Sequence, residues 1–329
     1  MTQLGDITGN LGRRGLLGGA LALPLIGSAA AQDAWPSRAV RIIVPYAPGG
    51  GTDVTTRSIA EALTQRFRQS FVVENRPGAN GVVGTEAVSR ANPDGYTFVA
   101  QTATHIMARQ MQTLPYDPVT DFTAIALLAR YPLVLMTSQR AGYADIPALL
   151  AAARAQPGGI PQGTSDAQSS YTAALFAKQA NVELNEVPYR GSGAYLADLT
   201  AGHLPVAWGS PATAAALVSS GQIRLIGVSS ATRSIYLPEV PTLTEAGVPG
   251  AEFTGWFGLF GPSRLPAAIA GQMNGAINDA MATPEMRARY TTLGNEVAAL
   301  NLEQLASLMR EDDARWARAS RDGLIRRAQ

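Results

Sequence analysis

From residue 40 onward, short runs rich in Val and Ile alternate with stretches whose apolar positions recur every three or four residues, which reads as strands and helices in turn. Residues 40–45, Val-Arg-Ile-Ile-Val-Pro, predict a strand that ends at a turn. A glycine loop follows, and Ile59, Leu63 and Phe67 stand at helical spacing within a helix predicted over 54–68. A second strand is predicted at 71–74. A helix near 85–91 stops at Asn92-Pro93-Asp94-Gly95, a turn sequence that precedes a strand at 96–101. A buried strand at 133–137 leads away from this first set. The order then repeats with different residues: helix 146–155, loop 157–170, helix 171–180, strand 186–189, and helix 194–201 closed by Gly202, where glycine can supply a left-handed cap. Strands at 204–208 and 223–228 follow, and amphipathic helices at 267–281 and 302–318 close the chain. This alternation specifies an α/β architecture. No long Ser/Gly linker divides it, so the chain is expected to pass between lobes on strands.

The first 31 residues break the pattern. Arg13-Arg14 precedes a short apolar run interrupted by Gly15, Gly18 and Gly19, and the segment ends in Ala29-Ala30-Ala31. A basic start, a short apolar stretch and an Ala-x-Ala end predict a secretory signal with a twin-arginine start, cleaved near Ala31. Removing it with Asp6, Arg13 and Arg14 would leave 298 residues without net formal charge. The expected compartment is the periplasm. The full chain of 329 residues carries 26 basic and 25 acidic side chains, and this balance gives no electrostatic reason for a nucleic-acid partner. Lys178 is the sole lysine, with no glycine-rich loop before it, and there is no cysteine. Walker-type phosphate chemistry, thiol catalysis and Cys-ligated metal are therefore excluded, and no cofactor is expected.

Catalytic patterns are missing as well. There is no Gly-x-Ser-x-Gly, His-Glu-x-x-His or Gly-x-Gly-x-x-Gly. Of the two histidines, His203 follows a predicted helix end, and His105 follows a strand end, where it either lines a cleft or packs. The strongest constellation is Gly49-Gly50-Gly51-Thr52-Asp53, set between a strand and a helix. Its N–H groups and the helix dipole can converge on an anion. No Lys or Mg²⁺-binding Ser follows in Walker fashion, so a carboxylate suits it better than a triphosphate. A tight turn with Thr52 or Asp53 as N-cap is the plainer reading, compatible with the first. A second loop, Gly163-Thr164-Ser165-Asp166-Ala167-Gln168-Ser169-Ser170, also precedes a helix and offers hydroxyls and amides. Asp166 would repel an anion if it faced the cleft, and would then favour a ligand with an amine or hydroxyl there; facing out, it is a solvated turn residue.

Three segments carry a family resemblance. They are Arg41-Ile42-Ile43-Val44-Pro45-Tyr46-Ala47-Pro48-Gly49-Gly50-Gly51-Thr52-Asp53, Glu74-Asn75-Arg76-Pro77-Gly78-Ala79-Asn80-Gly81 and Asn92-Pro93-Asp94-Gly95-Tyr96-Thr97. Val187-Pro188-Tyr189-Arg190-Gly191, Leu237-Pro238-Glu239-Val240-Pro241-Thr242 and Trp256-Phe257-Gly258-Leu259-Phe260-Gly261-Pro262 extend it over the chain beyond the leader. Together they resemble the Bug family, the substrate-binding proteins of tripartite tricarboxylate transporters. The resemblance implies an α/β, two-lobed periplasmic-binding-protein fold of the type II kind, each lobe a mostly parallel sheet flanked by helices. Lobe 1 would span 35–135 plus 252–329, and lobe 2 136–251. It implies a receptor, not an enzyme, that captures a small organic acid for a tripartite tricarboxylate-type permease or a sensor; a hydrolase or transferase on the same scaffold is the alternative.

The implied ligand-binding set is Tyr46, Pro48, Gly49, Gly50, Gly51, Thr52, Asp53, Thr102, Thr104, Gln168, Ser169, Ser170, Tyr189, Gly191 and Ser210. Two places depart from the family pattern. Ser165-Asp166-Ala167-Gln168-Ser169-Ser170 stands where a Gly-x-Gly-Ser run with a histidine is usual. Trp208-Gly209-Ser210-Pro211 stands where an aspartate is common.

Overall fold

The computed structural model describes residues 35–325, so the expected leader and its cleavage site lie outside the described residues. Two five-stranded sheets organise the chain. The first is ordered β2-β1-β3-β10-β4 and uses β1 (Val40–Val44), β2 (Phe71–Asn75), β3 (Thr97–Thr102), β4 (Phe122–Pro132) and β10 (Thr254–Pro262). The second is ordered β7-β6-β8-β5-β9 and uses β5 (Val134–Ser138), β6 (Pro161–Thr164), β7 (Asn185–Pro188), β8 (Val206–Gly209) and β9 (Ile223–Val228). The two orders correspond strand for strand.

Parallel pairing is confined to three strands of each sheet. In the first, β1 runs parallel to β2 and β3, while β10 lies antiparallel between β3 and β4. In the second, β6 runs parallel to β7 and β8, while β5 lies antiparallel between β8 and β9. Both sheets are thus mixed rather than mostly parallel. The reason is that each receives a strand that crosses between lobes: β4 hands over to β5 within two residues, and β10 returns to the first sheet after β9.

The elements follow from local chemistry. α4 (Ile146–Ala155) starts where Asp145 caps Ala148 N at 2.9 Å and Pro147 occupies the first turn. α5 (Ala167–Ala180) begins four residues before the expected 171, because Asp166 accepts from Ser169 N at 2.8 Å and closes a capping box with Ser169. The expected loop over 157–170 therefore contains both β6 and the start of a helix. α8 (Ala267–Ala282) and α10 (Leu302–Arg321) match the two closing helices, with α9 (Pro284–Leu293) between them. α10 carries Trp316, fully buried against Tyr171 and Phe253 at ring separations of 5.1 and 5.5 Å. This aromatic contact ties the closing helix to α5 and to the segment leading into β10. Trp256 on β10 donates its indole N–H to the buried Asp312 of α10 at 2.7 Å.

Candidate functional site

The glycine loop ends β1 and opens α1 (Gly51–Phe67). Gly50, with extended backbone, is the N-cap and supplies no side-chain bond, so neither Thr52 nor Asp53 caps the helix. The Asp53 carboxylate instead turns back as a strut. Its Oδ2 accepts Gly49 N at 2.9 Å, and its Oδ1 accepts Arg57 Nε and Asn75 Nδ2, both at 3.0 Å. Gly49 needs its glycine for a φ of +82°, in the left-handed region that disfavours side chains.

The N-termini of three helices of the second lobe, α5, α6 (Ser192–Ala201) and α7 (Pro211–Ser219), border the same cavity as this loop. Ser210 caps α7, accepting Thr213 N at 3.3 Å. Across the lobes, Gly51 N donates to Thr213 Oγ1 at 2.8 Å and Ala47 N donates to Arg190 O at 3.2 Å. The approach is close enough to require bare backbone. A Cβ on Gly50 would sit 2.7 Å from Ser192 Oγ, and one on Gly191 would sit 2.7 Å from Ala47 N. A Cβ on Gly51 would overlap Ser210 Oγ and lie 2.9 Å from Phe257 Cζ.

A small cavity of about 20 Å³ lies where these termini meet, lined by residues of both lobes. That is space for roughly one water molecule. Of the expected set, Gly51, Thr52, Thr102, Gln168, Ser169 and Ser210 line it. Tyr46 and Tyr189 line a larger cavity of about 240 Å³ at the cleft mouth, which also includes Arg190 and Ser165. Pro48, Gly49, Gly50, Asp53, Thr104, Ser170 and Gly191 line neither. Thr104 is buried and donates its backbone N–H to Thr102 Oγ1 at 3.1 Å, while Ser170 donates its hydroxyl to Thr164 Oγ1 at 3.3 Å. The inner cavity adds residues outside the expected set, among them Tyr131, Asp166, Ser192 and Phe257. Tyr131 and Phe257 come from β4 and β10, strands absent from the sequence reading, and their ring centroids lie 4.2 Å apart at a 30° tilt.

The electrostatics are unusual for an anion site. Among the described residues, the inner lining has no Lys, Arg or His. Positive potential comes instead from the first turns of α1, α5, α6 and α7. Asp166 is the one carboxylate in the lining, and burial raises its pKa above the usual range, opposed by the Ser169 backbone and the Ser169 and Thr102 hydroxyls. Burial, with Asp166 adding to it, also holds the Tyr46, Tyr131 and Tyr195 hydroxyls protonated far above their ordinary range. His105 packs between Phe122 and Phe260, at 4.7 and 4.2 Å, and burial lowers its pKa to about 3. It is a core residue. His203 is exposed beside Asp198 at 3.7 Å.

Residues 55–322 match the family model described as the tripartite tricarboxylate transporter family receptor. A protein encoded in the tcbD-tcbE intergenic region of Pseudomonas sp. strain P51 is 36% identical over 313 residues, 93% of each chain. Among solved structures, R. palustris Rpa4515 with adipate is 31% identical with a TM-score of 0.86, covering 89% of this chain and all 100% of its own. MatC from Rhodopseudomonas palustris with bound malate is 28% identical with a TM-score of 0.82, covering 87% of this chain and 100% of its own.

Proposed function

We propose, from the premise that this chain belongs to the tripartite tricarboxylate transporter receptor family, that it captures a small organic acid in the cleft between its two lobes. The observation that carries this is the meeting of four helix N-termini around a cavity lined by hydroxyls and backbone N–H groups. Each terminus presents about half a positive charge, the complement of a carboxylate. The adipate and malate held by the two similar solved proteins support the same chemistry. The sequence leader and the family support export to the periplasm with cleavage near Ala31, and delivery to a tripartite tricarboxylate-type permease or to a sensor.

The reading is one of binding without turnover. His105 is locked among phenylalanines and His203 stands in solvent beside Asp198, so neither is presented to the cleft as a general base. Thermal denaturation across a panel of organic acids is the test. A ligand at a hundred times its Kd stabilises by about 2.7 kcal/mol, which raises Tm by several degrees. The ligand should be recovered unchanged. No shift with any acid, or steady conversion of one, would contradict the proposal.

A further inference from the structure

Two segments carry the chain between the lobes, and one residue holds them together. The first sheet ends where Pro132 of β4 pairs with Thr254 of β10, and the second ends where Val134 of β5 pairs with Val228 of β9. Leu133 alone separates the sheets on the first crossing, and Phe253 is the last residue of the second crossing before β10. Ser229, the residue after β9, is fully buried and bonds to both. Its N–H donates to Leu133 O at 2.8 Å, and its C=O accepts Phe253 N at 2.7 Å. Its hydroxyl accepts Leu133 N at 2.9 Å and donates to Phe253 O at 2.5 Å. The N–H and C=O of Leu133 and of Phe253 thus all find their partners in this one serine.

The flanks of the junction are tethered within their own lobes. On the second lobe Val228 N donates to Pro241 O at 2.9 Å, and Val228 O accepts Leu243 N at 3.0 Å. On the first lobe Trp256 is bonded to the buried Asp312 of α10. Rotation of one lobe against the other is therefore concentrated at Leu133 and Phe253. We infer that Ser229 is the positioning residue of the hinge: its hydroxyl joins the two crossings so that they bend as one, which confines lobe motion to opening and closing. A residue held by one hydrogen bond can swivel about it, whereas a second bond to the same residue fixes the direction of its backbone. Alanine at 229 would keep one bond to each crossing and leave Leu133 N–H and Phe253 O unpaired in a buried junction, where an orphaned backbone group is costly. The inference rests on the reading of a cleft that captures by closing, but its test needs no acid, so its failure would leave the organic-acid reading intact.

The chain has no cysteine, so two introduced ones can be spin-labelled cleanly. Gln65→Cys on α1 and Ala151→Cys on α4 place a label on an exposed site of each lobe. Pulsed electron spin resonance then reads the distance distribution between lobes in the unliganded protein. Adding Ser229→Ala should widen that distribution about twofold or more, because the crossings then swivel separately, and Ser229→Thr, which keeps the hydroxyl, should restore the parent's width. A folded Ser229→Ala that melts earlier but keeps the parent's width would show a purely structural serine and overturn the inference, as would a folded Ser229→Thr as broad as the alanine variant. If Ser229→Ala does not fold, amide exchange in the unsubstituted chain decides. The Leu133 amide, held by the hydroxyl, and the Phe253 amide, held by the Ser229 carbonyl, should open together, with protection factors within about threefold of each other. A Leu133 amide protected about tenfold less than that of Phe253 would mean that the crossings move apart independently and would refute the assignment.

Discussion

Replacing Gly51 with alanine should weaken ligand binding by destabilising the closed form of the cleft. Gly51 opens α1 with a negative φ, so alanine costs nothing in backbone strain there and slightly favours the helix. The added Cβ would nevertheless overlap Ser210 Oγ, and it would lie 2.9 Å from Phe257 Cζ and 3.1 Å from Ser210 Cβ. Two relaxations are open. If the lobes part, the Gly51–Thr213 and Ala47–Arg190 bonds are lost, at about 0.5–1.5 kcal/mol each. If Ser210 rotates away, α7 loses its N-cap, at about 0.5–2 kcal/mol, and the contact with Phe257 persists. Either route raises the free energy of the closed form by roughly 1–3 kcal/mol, which corresponds to a Kd weaker by about 5- to 150-fold. Gly49→Ala is the control. Nothing lies within 4 Å of its Cβ, but its φ of +82° is unfavourable for alanine, so Tm should fall while Kd stays put. Calorimetric titration and thermal denaturation of both variants separate the effects. If Gly51→Ala binds as the parent does, the lobes do not close through this glycine contact when ligand is held.

Three further outcomes follow from named groups. The pKa of His105 is lowered from 6.5 to about 3 in the fold, so the unfolded chain takes up the proton first and stability rises with pH across that window. Denaturation from pH 7 to 3 should therefore show the parent losing up to about 5 kcal/mol more than His105→Leu, and parallel curves would refute the burial argument. Trp316→Ala removes the ring packed between Tyr171 and Phe253 and should lower stability by about 3–5 kcal/mol in urea titration; a loss under about 1 kcal/mol would mean α10 is not anchored there. Arg13→Lys with Arg14→Lys should leave precursor in the cytoplasm on fractionation, whereas undiminished periplasmic protein would show that the general secretory route suffices.

The first lobe's β1, its glycine loop and α1 were legible because their signals are local: a Val/Ile run, glycines, then helical spacing. β9 and α4 match the sequence reading at both ends, since turn residues and the Asp145 cap mark their limits. β10 was hidden by its own glycines. Gly255 leaves room for Tyr131 of β4, and Gly261 for Phe98 and Leu265, so strand pairing replaces the side chains that β propensity would look for. β4 is buried over most of its eleven residues and shows no alternation, which leaves periodicity nothing to report. In the cleft, the loop at 49–53 could be read from neighbours in sequence. The groups that meet it, Ser192, Ser210 and Thr213, arrive from more than 140 residues away, and only the fold brings them in. Asp53 shows the converse limit: its place in the loop suggested a ligand contact, but its carboxylate is engaged by Gly49, Arg57 and Asn75.

A transport receptor must let go as readily as it catches, and the glycine-lined contact between the lobes bears on release. Glycine brings no side chain whose rotamers must freeze on closing and be freed on opening, so the contact stores little entropy in either direction. Its direct polar links near the loop, Gly51–Thr213 and Ala47–Arg190, together hold about 1–3 kcal/mol. Opening the cleft would require breaking these, the Gln168–Tyr131 bond and the ligand's own contacts. Bulkier interdigitating side chains would have made the same clasp slower to undo, which would suit storage better than handover.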